Sequence, residues 1–79
     1  MTPADVLSRI THDPAVMGGR PCIRGMRLTV RIIVGLLGAG HSFDDVLRAY
    51  PSLEKDDIQA ALAYAAWRSE EIELSLKAS

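Results

Sequence analysis

Gly18-Gly19-Arg20-Pro21-Cys22-Ile23-Arg24-Gly25-Met26-Arg27-Leu28-Thr29-Val30-Arg31, residues 18–31, holds four arginines and no acidic residue. Its three glycines and Pro21 divide it into turn, short strand, turn and short strand, since glycine admits positive φ and proline fixes φ. Apolar and charged residues alternate through Ile23-Arg24 and Met26-Arg27-Leu28. That period of two predicts a half-buried ribbon whose arginines leave on one side. The chain beyond Arg31 reads as helical, so the fold is expected to be a cationic arm feeding a small helical domain.

Upstream, Thr2-Pro3-Ala4-Asp5 carries a helix-start signal: Thr2 as N-cap, Pro3 at the first position and Asp5 reaching back. Two readings stand there, a single turn through Leu7 or a frayed terminus. Arg9-Ile10-Thr11 suits a short strand, closed by the turn-forming pair Asp13-Pro14.

Downstream, Thr29 is the expected N-cap of a helix over Val30 to Ala39. Ile32, Ile33, Val34, Leu36 and Leu37 leave it little polar face, which predicts a buried central helix. Gly35 and Gly38 each cost about 1 kcal/mol against alanine in a helix, which suggests that another backbone comes close. Gly40 is placed to end the helix. Ser42 and Asp45 form a second capping signal, and Phe43, Val46, Leu47 and Tyr50 then fall on one helical face before Pro51 stops the element.

The last helix opens over Leu53 to Asp57, with Glu54, Asp56 and Asp57 complementing the positive end of its dipole. At 100° per residue, Ile58, Leu62, Ala65, Ile72 and Leu76 line one side, and Ala60, Ala63, Trp67 and Leu74 the opposite side. One small core is expected to bury a single stripe. The other then faces a second chain, with Tyr64, Trp67, Ile72, Leu74 and Leu76 as the partner or dimer interface. Trp67 and Leu74 as scattered exposed apolar residues are the plainer alternative.

Composition narrows the function. The chain is 79 residues with 48% hydrophobic and 24% charged residues, which suits one globular domain (residues 1–79, with the arm at about 9–29 and the helical core at 30–76). A net charge of −1 argues against histone-like binding through bulk charge. The average conceals a segregation: five arginines face Asp5 and Asp13 up to Arg31, whereas eight carboxylates face four cations from Ser42 onward. Two partner surfaces of opposite sign are therefore expected. The single Cys22 forms no internal disulfide, no stretch reads as a secretory signal, and the longest apolar run is about half a bilayer span, so a cytoplasmic protein is expected.

Two helices joined through Ala39-Gly40-His41-Ser42 resemble a helix-turn-helix. Glu54, Asp56 and Asp57 would repel phosphates at the start of its reading helix, so DNA contact falls instead to Arg20, Arg24, Arg27 and Arg31. The competing reading pairs these arginines with the acidic half of the same or a neighbouring molecule. No phosphate loop can be built on Gly18-Gly19-Arg20-Pro21, and Cys22 with His12 or His41 lacks a third orienting group. No catalytic residue, metal ligand or cofactor site is expected, and Cys22 reads as small core filler.

A family resemblance gathers these pieces. Arg9-Ile10-Thr11-His12-Asp13-Pro14, Gly19-Arg20-Pro21-Cys22-Ile23-Arg24-Gly25-Met26-Arg27-Leu28, Leu36-Leu37-Gly38-Ala39-Gly40, Tyr50-Pro51-Ser52-Leu53 and Asp57-Ile58-Gln59-Ala60-Ala61-Leu62-Ala63-Tyr64-Ala65-Ala66 resemble domain-of-unknown-function family 433. The resemblance spans about Arg9 to Trp67. It implies a mainly α, homeodomain-like tri-helical domain with a short N-terminal β-ribbon. It further implies a VapB-like antitoxin, often encoded beside a PIN-like ribonuclease toxin, that silences the toxin and, as a homodimer, binds its own operator DNA. Met26 and Thr29 depart from the usual threonine and proline of the family, and no base-reading residue carries across. The expected function is thus a non-enzymatic antitoxin-like regulator in which the acidic Glu70-Glu71-Ile72-Glu73 segment meets the nuclease. The competing class is a homodimerisation or adaptor module without a nucleic-acid role.

Overall fold

The computed structural model describes the backbone of residues 1–78 and the side chains of residues 1–69. Helix α1 spans Pro3–Arg9. Thr2 Oγ1 accepts from the Asp5 amide and the Asp5 carboxylate accepts from the Thr2 amide, so the start is locked by local bonds alone. The terminus is helical rather than frayed, and the helix runs past Leu7 to Arg9. Strand β1 (Ile10–Thr11) pairs antiparallel with β2 (Cys22–Ile23), Ile10 opposite Ile23 and Thr11 opposite Cys22.

The ribbon differs from the expected alternation. Cys22 and Ile23 are both buried, and the chain then turns sharply through Arg24 (φ 44°) and Gly25 (φ 75°). The Ile23 amide donates to the Leu28 carbonyl at 3.0 Å and the Val30 amide to the Pro21 carbonyl at 2.9 Å, so the expected second strand is reduced to one antiparallel bridge between Cys22 and Thr29. A left-handed residue breaks the two-residue period, so the arginines do not share a side.

Helix α2 (Val30–Gly38) starts at Thr29, whose hydroxyl accepts from the Ile32 amide. It ends in a Schellman motif: the Gly40 amide donates to the Leu37 carbonyl, the His41 amide to the Leu36 carbonyl, and Gly40 takes φ 101°. Burial of α2 is one-sided, Ile33 being fully buried and Ile32 39% exposed. The glycines mark no close approach; a Cβ at Gly35 or Gly38 would meet nothing within 4 Å. Helix α3 (Phe43–Ala49) is held by a capping box between Ser42 and Asp45. Ser42→Ala should therefore cost about 1 kcal/mol, read as a lower urea midpoint at unchanged slope.

Helix α4 (Lys55–Ala78) is the central element, packed against α1 on one flank and α2 on the other. Ile58 and Ala60, from the two opposed stripes, are both fully buried, as are Asp57 and Ala61. The expectation that one stripe alone could be buried is corrected here. Both α1 and α2 pack on this segment, so its buried arc widens to take in residues of both stripes, while Lys55, Asp56 and Gln59 stay exposed. The core joins Val6, Ile10, Ile23, Leu28, Ile33, Val46, Leu53 and Ile58 around that segment.

Candidate functional site

Asp57 sorts the arginines. It occupies the third position of α4 and reaches back to accept from the Glu54 amide at 2.8 Å, as an N-terminal carboxylate does. Core residues around it remove its side chain from solvent entirely. Arg24 meets it with a two-pronged grip, Nε to Oδ1 at 3.0 Å and Nη2 to Oδ2 at 2.9 Å, and Nη2 also donates to the Ser52 carbonyl. Arg9 donates from Nη1 to Asp57 Oδ1 at 2.9 Å and to Glu54 Oε1 at 2.8 Å.

Burial pushes the Asp57 carboxyl up, but the bonds from Arg24, the Glu54 amide and Arg9 outweigh it and hold the group below its ordinary value. Arg24 makes this grip from a left-handed backbone, which its side chain's three anchors and the hydrogen bond its amide donates to the Arg9 carbonyl sustain. Both oxygens of Asp57 are thus fully used. Among the described residues, no buried side-chain nitrogen or oxygen lacks a partner.

The four arginines singled out by sequence therefore separate. Arg24 is committed to an internal ion pair, which is the competing reading realised within one chain. Arg20, Arg27 and Arg31 are exposed and, among the described residues, meet no carboxylate. Arg20 and Arg31 line one small cavity with Pro21 and Thr29 at the start of α2. Arg9 belongs to the network, although nothing local in the sequence distinguishes its role.

Of the expected interface residues, Tyr64 is half-buried, and its hydroxyl lies 2.9 Å from His12 Nε2. Trp67 is 38% exposed. The side chains of Ile72, Leu74 and Leu76, like the acidic Glu70, Glu71 and Glu73, lie outside the described residues. Cys22 is buried in the core, as its filler role requires, and His41 sits exposed in the loop 3.9 Å from Asp45. Among the described residues, no group of three His, Cys, Asp or Glu converges as metal ligands, and no helix is long and apolar enough to cross a membrane.

An open apolar groove of about 460 Å³ lies between α2 and α4, bordered by Val34, Gly35, Tyr64 and Ala65, with the exposed Arg31 and Arg68 beside them.

Comparison with known proteins agrees with this architecture. The uncharacterized protein y4eO of Sinorhizobium fredii is 39% identical over 56 residues, which cover 71% of this chain and 25% of that protein. The chain thus matches about a quarter of the length of that curated relative. The crystal structure of a DUF433 member protein from Anabaena variabilis superposes with a TM-score of 0.75 at 30% identity, covering 89% of this chain and 69% of the other. The family described as "Protein of unknown function (DUF433)" matches residues 10–65, which contain the strand pair, Arg24, α2, α3 and the buried part of α4. With more than half of its length matched, and with a relative of known structure that shares its helices, this chain belongs to the DUF433 family.

Proposed function

We propose that the protein is a non-enzymatic, antitoxin-like regulator that binds a PIN-like ribonuclease and, as a homodimer, contacts its own operator DNA. The observation that carries the DNA part is the set of arginines left over by Asp57. Arg20, Arg27 and Arg31 stay exposed on the loop and the first turn of α2. Exposed guanidiniums without carboxylate partners are suited to phosphate oxygens. The toxin part rests on the family resemblance and on the acidic composition of residues 70–73, opposite in sign to a nuclease's substrate channel.

Binding of a labelled fragment from upstream of the gene, measured across a salt series, tests the DNA part. The Arg20→Ala/Arg27→Ala protein should keep its fold while its log–log salt slope falls by about 2, one for each lost phosphate contact. An unchanged slope, or no salt dependence in the parent, overturns it. Arg24→Ala is unsuited to this purpose, because it breaks the Asp57 pair. A homodimerisation or adaptor module is the second reading, favoured by the apolar groove, and it expects no binding of the fragment at any salt.

A further inference from the structure

From the groove between α2 and α4, we infer that it receives the C-terminal segment of α4, residues 70–76, from a second copy of this chain. The inference rests on the proposed homodimer and gives that dimer its geometry. Val34, Gly35, Tyr64 and Ala65 provide an apolar bed, and Arg31 and Arg68 place positive charge along it. The sequence after Ser69 reads Glu-Glu-Ile-Glu-Leu-Ser-Leu, three carboxylates and three apolar residues in seven. Its chemistry matches the groove in both respects, so the groove of the second copy and the proposed nuclease compete for this one segment.

A copy's own tail cannot fill its own groove. Helix α4 is continuous to Ala78, and a helix of 24 residues holds its far end away from the side of its own middle. In the sequence, apolar residues recur at Ile72 and Leu76, seven and eleven positions after Ala65, the spacing of an apolar helical stripe. Two such helices crossing antiparallel lay each tail in the other's groove. The same contact is then made twice across a two-fold axis, as an isologous dimer requires. Gly35 fits this role: with no side chain and nothing within 4 Å of a built Cβ, it leaves the bed open for a visitor.

Sedimentation of the full-length protein across the micromolar range tests the inference. The parent should dimerise. Gly35→Glu fills the bed with a carboxylate at an exposed position and should raise the dimer Kd by about tenfold or more, with helical content unchanged. Arg31→Glu/Arg68→Glu and, separately, Glu70→Lys/Glu71→Lys/Glu73→Lys should weaken self-association to a similar degree. Mixing these two charge-reversed proteins should restore a dimer, because each acidic groove then meets a basic tail and each basic groove an acidic one. A parent that stays monomeric throughout overturns both the inference and the dimer. A dimer that survives Gly35→Glu, or charge-reversed chains that fail to pair, overturns the groove assignment and leaves the dimer standing. Fragment binding by the Arg20→Ala/Arg27→Ala protein is a separate measurement, since those two residues lie outside the groove, whereas Arg31 is shared by both readings.

Discussion

Replacing Asp57 with alanine is expected to remove about 3–5 kcal/mol of folding stability, the usual loss when one partner of a buried ion pair is deleted. A domain of this size has only about 4–12 kcal/mol in total, so the loss removes between about a quarter and all of its stability. The loss has three sources in the structure. Arg24 is left without its carboxylate while Arg9 keeps only the exposed Glu54 and Asp56, the Glu54 amide loses its acceptor at the start of α4, and the left-handed turn at Arg24 loses the anchor that offsets its strain. Urea unfolding monitored by circular dichroism measures the effect, and a loss under about 1 kcal/mol would show that the network contributes little.

The same group sets an acid limit. Its carboxyl is held below the ordinary value in the folded state, so the native state binds this proton less readily than the unfolded chain. The resulting stability is present in full above the unfolded value of about 4 and fades as the pH falls below it. Asp57→Asn should lack this part of the acid dependence, leaving a shallower decline below a pH of about 4 than the parent shows.

Helix α2 provides the second large effect. Ile33 is fully buried against α4 and Ile32, its neighbour, is 39% exposed. Ile33→Ala should cost about 2–5 kcal/mol through lost burial and the cavity left behind, whereas Ile32→Ala should change stability by less than about 0.5 kcal/mol. The pair of midpoints checks the facing of α2 directly. Comparable losses at both positions would mean that the helix is rotated about its axis.

Local signals are legible in the sequence for a physical reason. The Thr2 and Ser42 capping boxes and the Gly40 helix end depend on residues within four positions of one another; the latter two are present as expected, and the Thr2 box decides between the two readings of the first segment. Long-range pairing is not legible. Arg24 and Asp57 stand 33 positions apart, and the chemistry of each is already satisfied by a nearer explanation, phosphate binding for the arginine and the helix dipole for the aspartate. Alternation in the loop misleads because the left-handed pair Arg24 and Gly25 reverses the chain, and the expected second strand shrinks to one bridge between Cys22 and Thr29. The two-stripe reading of α4 fails at Ala60 because the N-terminal segment, whose sequence fits a single turn or a frayed end equally, forms a helix that packs on α4 in addition to α2 and widens its buried face. For the candidate interface, the exposure of Arg20, Arg27 and Arg31 becomes meaningful only once the buried carboxylate has claimed the fourth arginine.

The Arg9–Arg24–Asp57 arrangement bears on how the protein is made. Partners 33 and 48 residues apart cannot meet until ribosomal synthesis has carried residue 57 clear of the exit tunnel. Until then the nascent amino-terminal half has two unanswered cations and no closed core, and its helices of seven and nine residues are too short to be stable by themselves. Emergence of the first turn of α4 completes the charge triad and brings Ile58 into the core in the same step, so the domain sets late and at once rather than piece by piece.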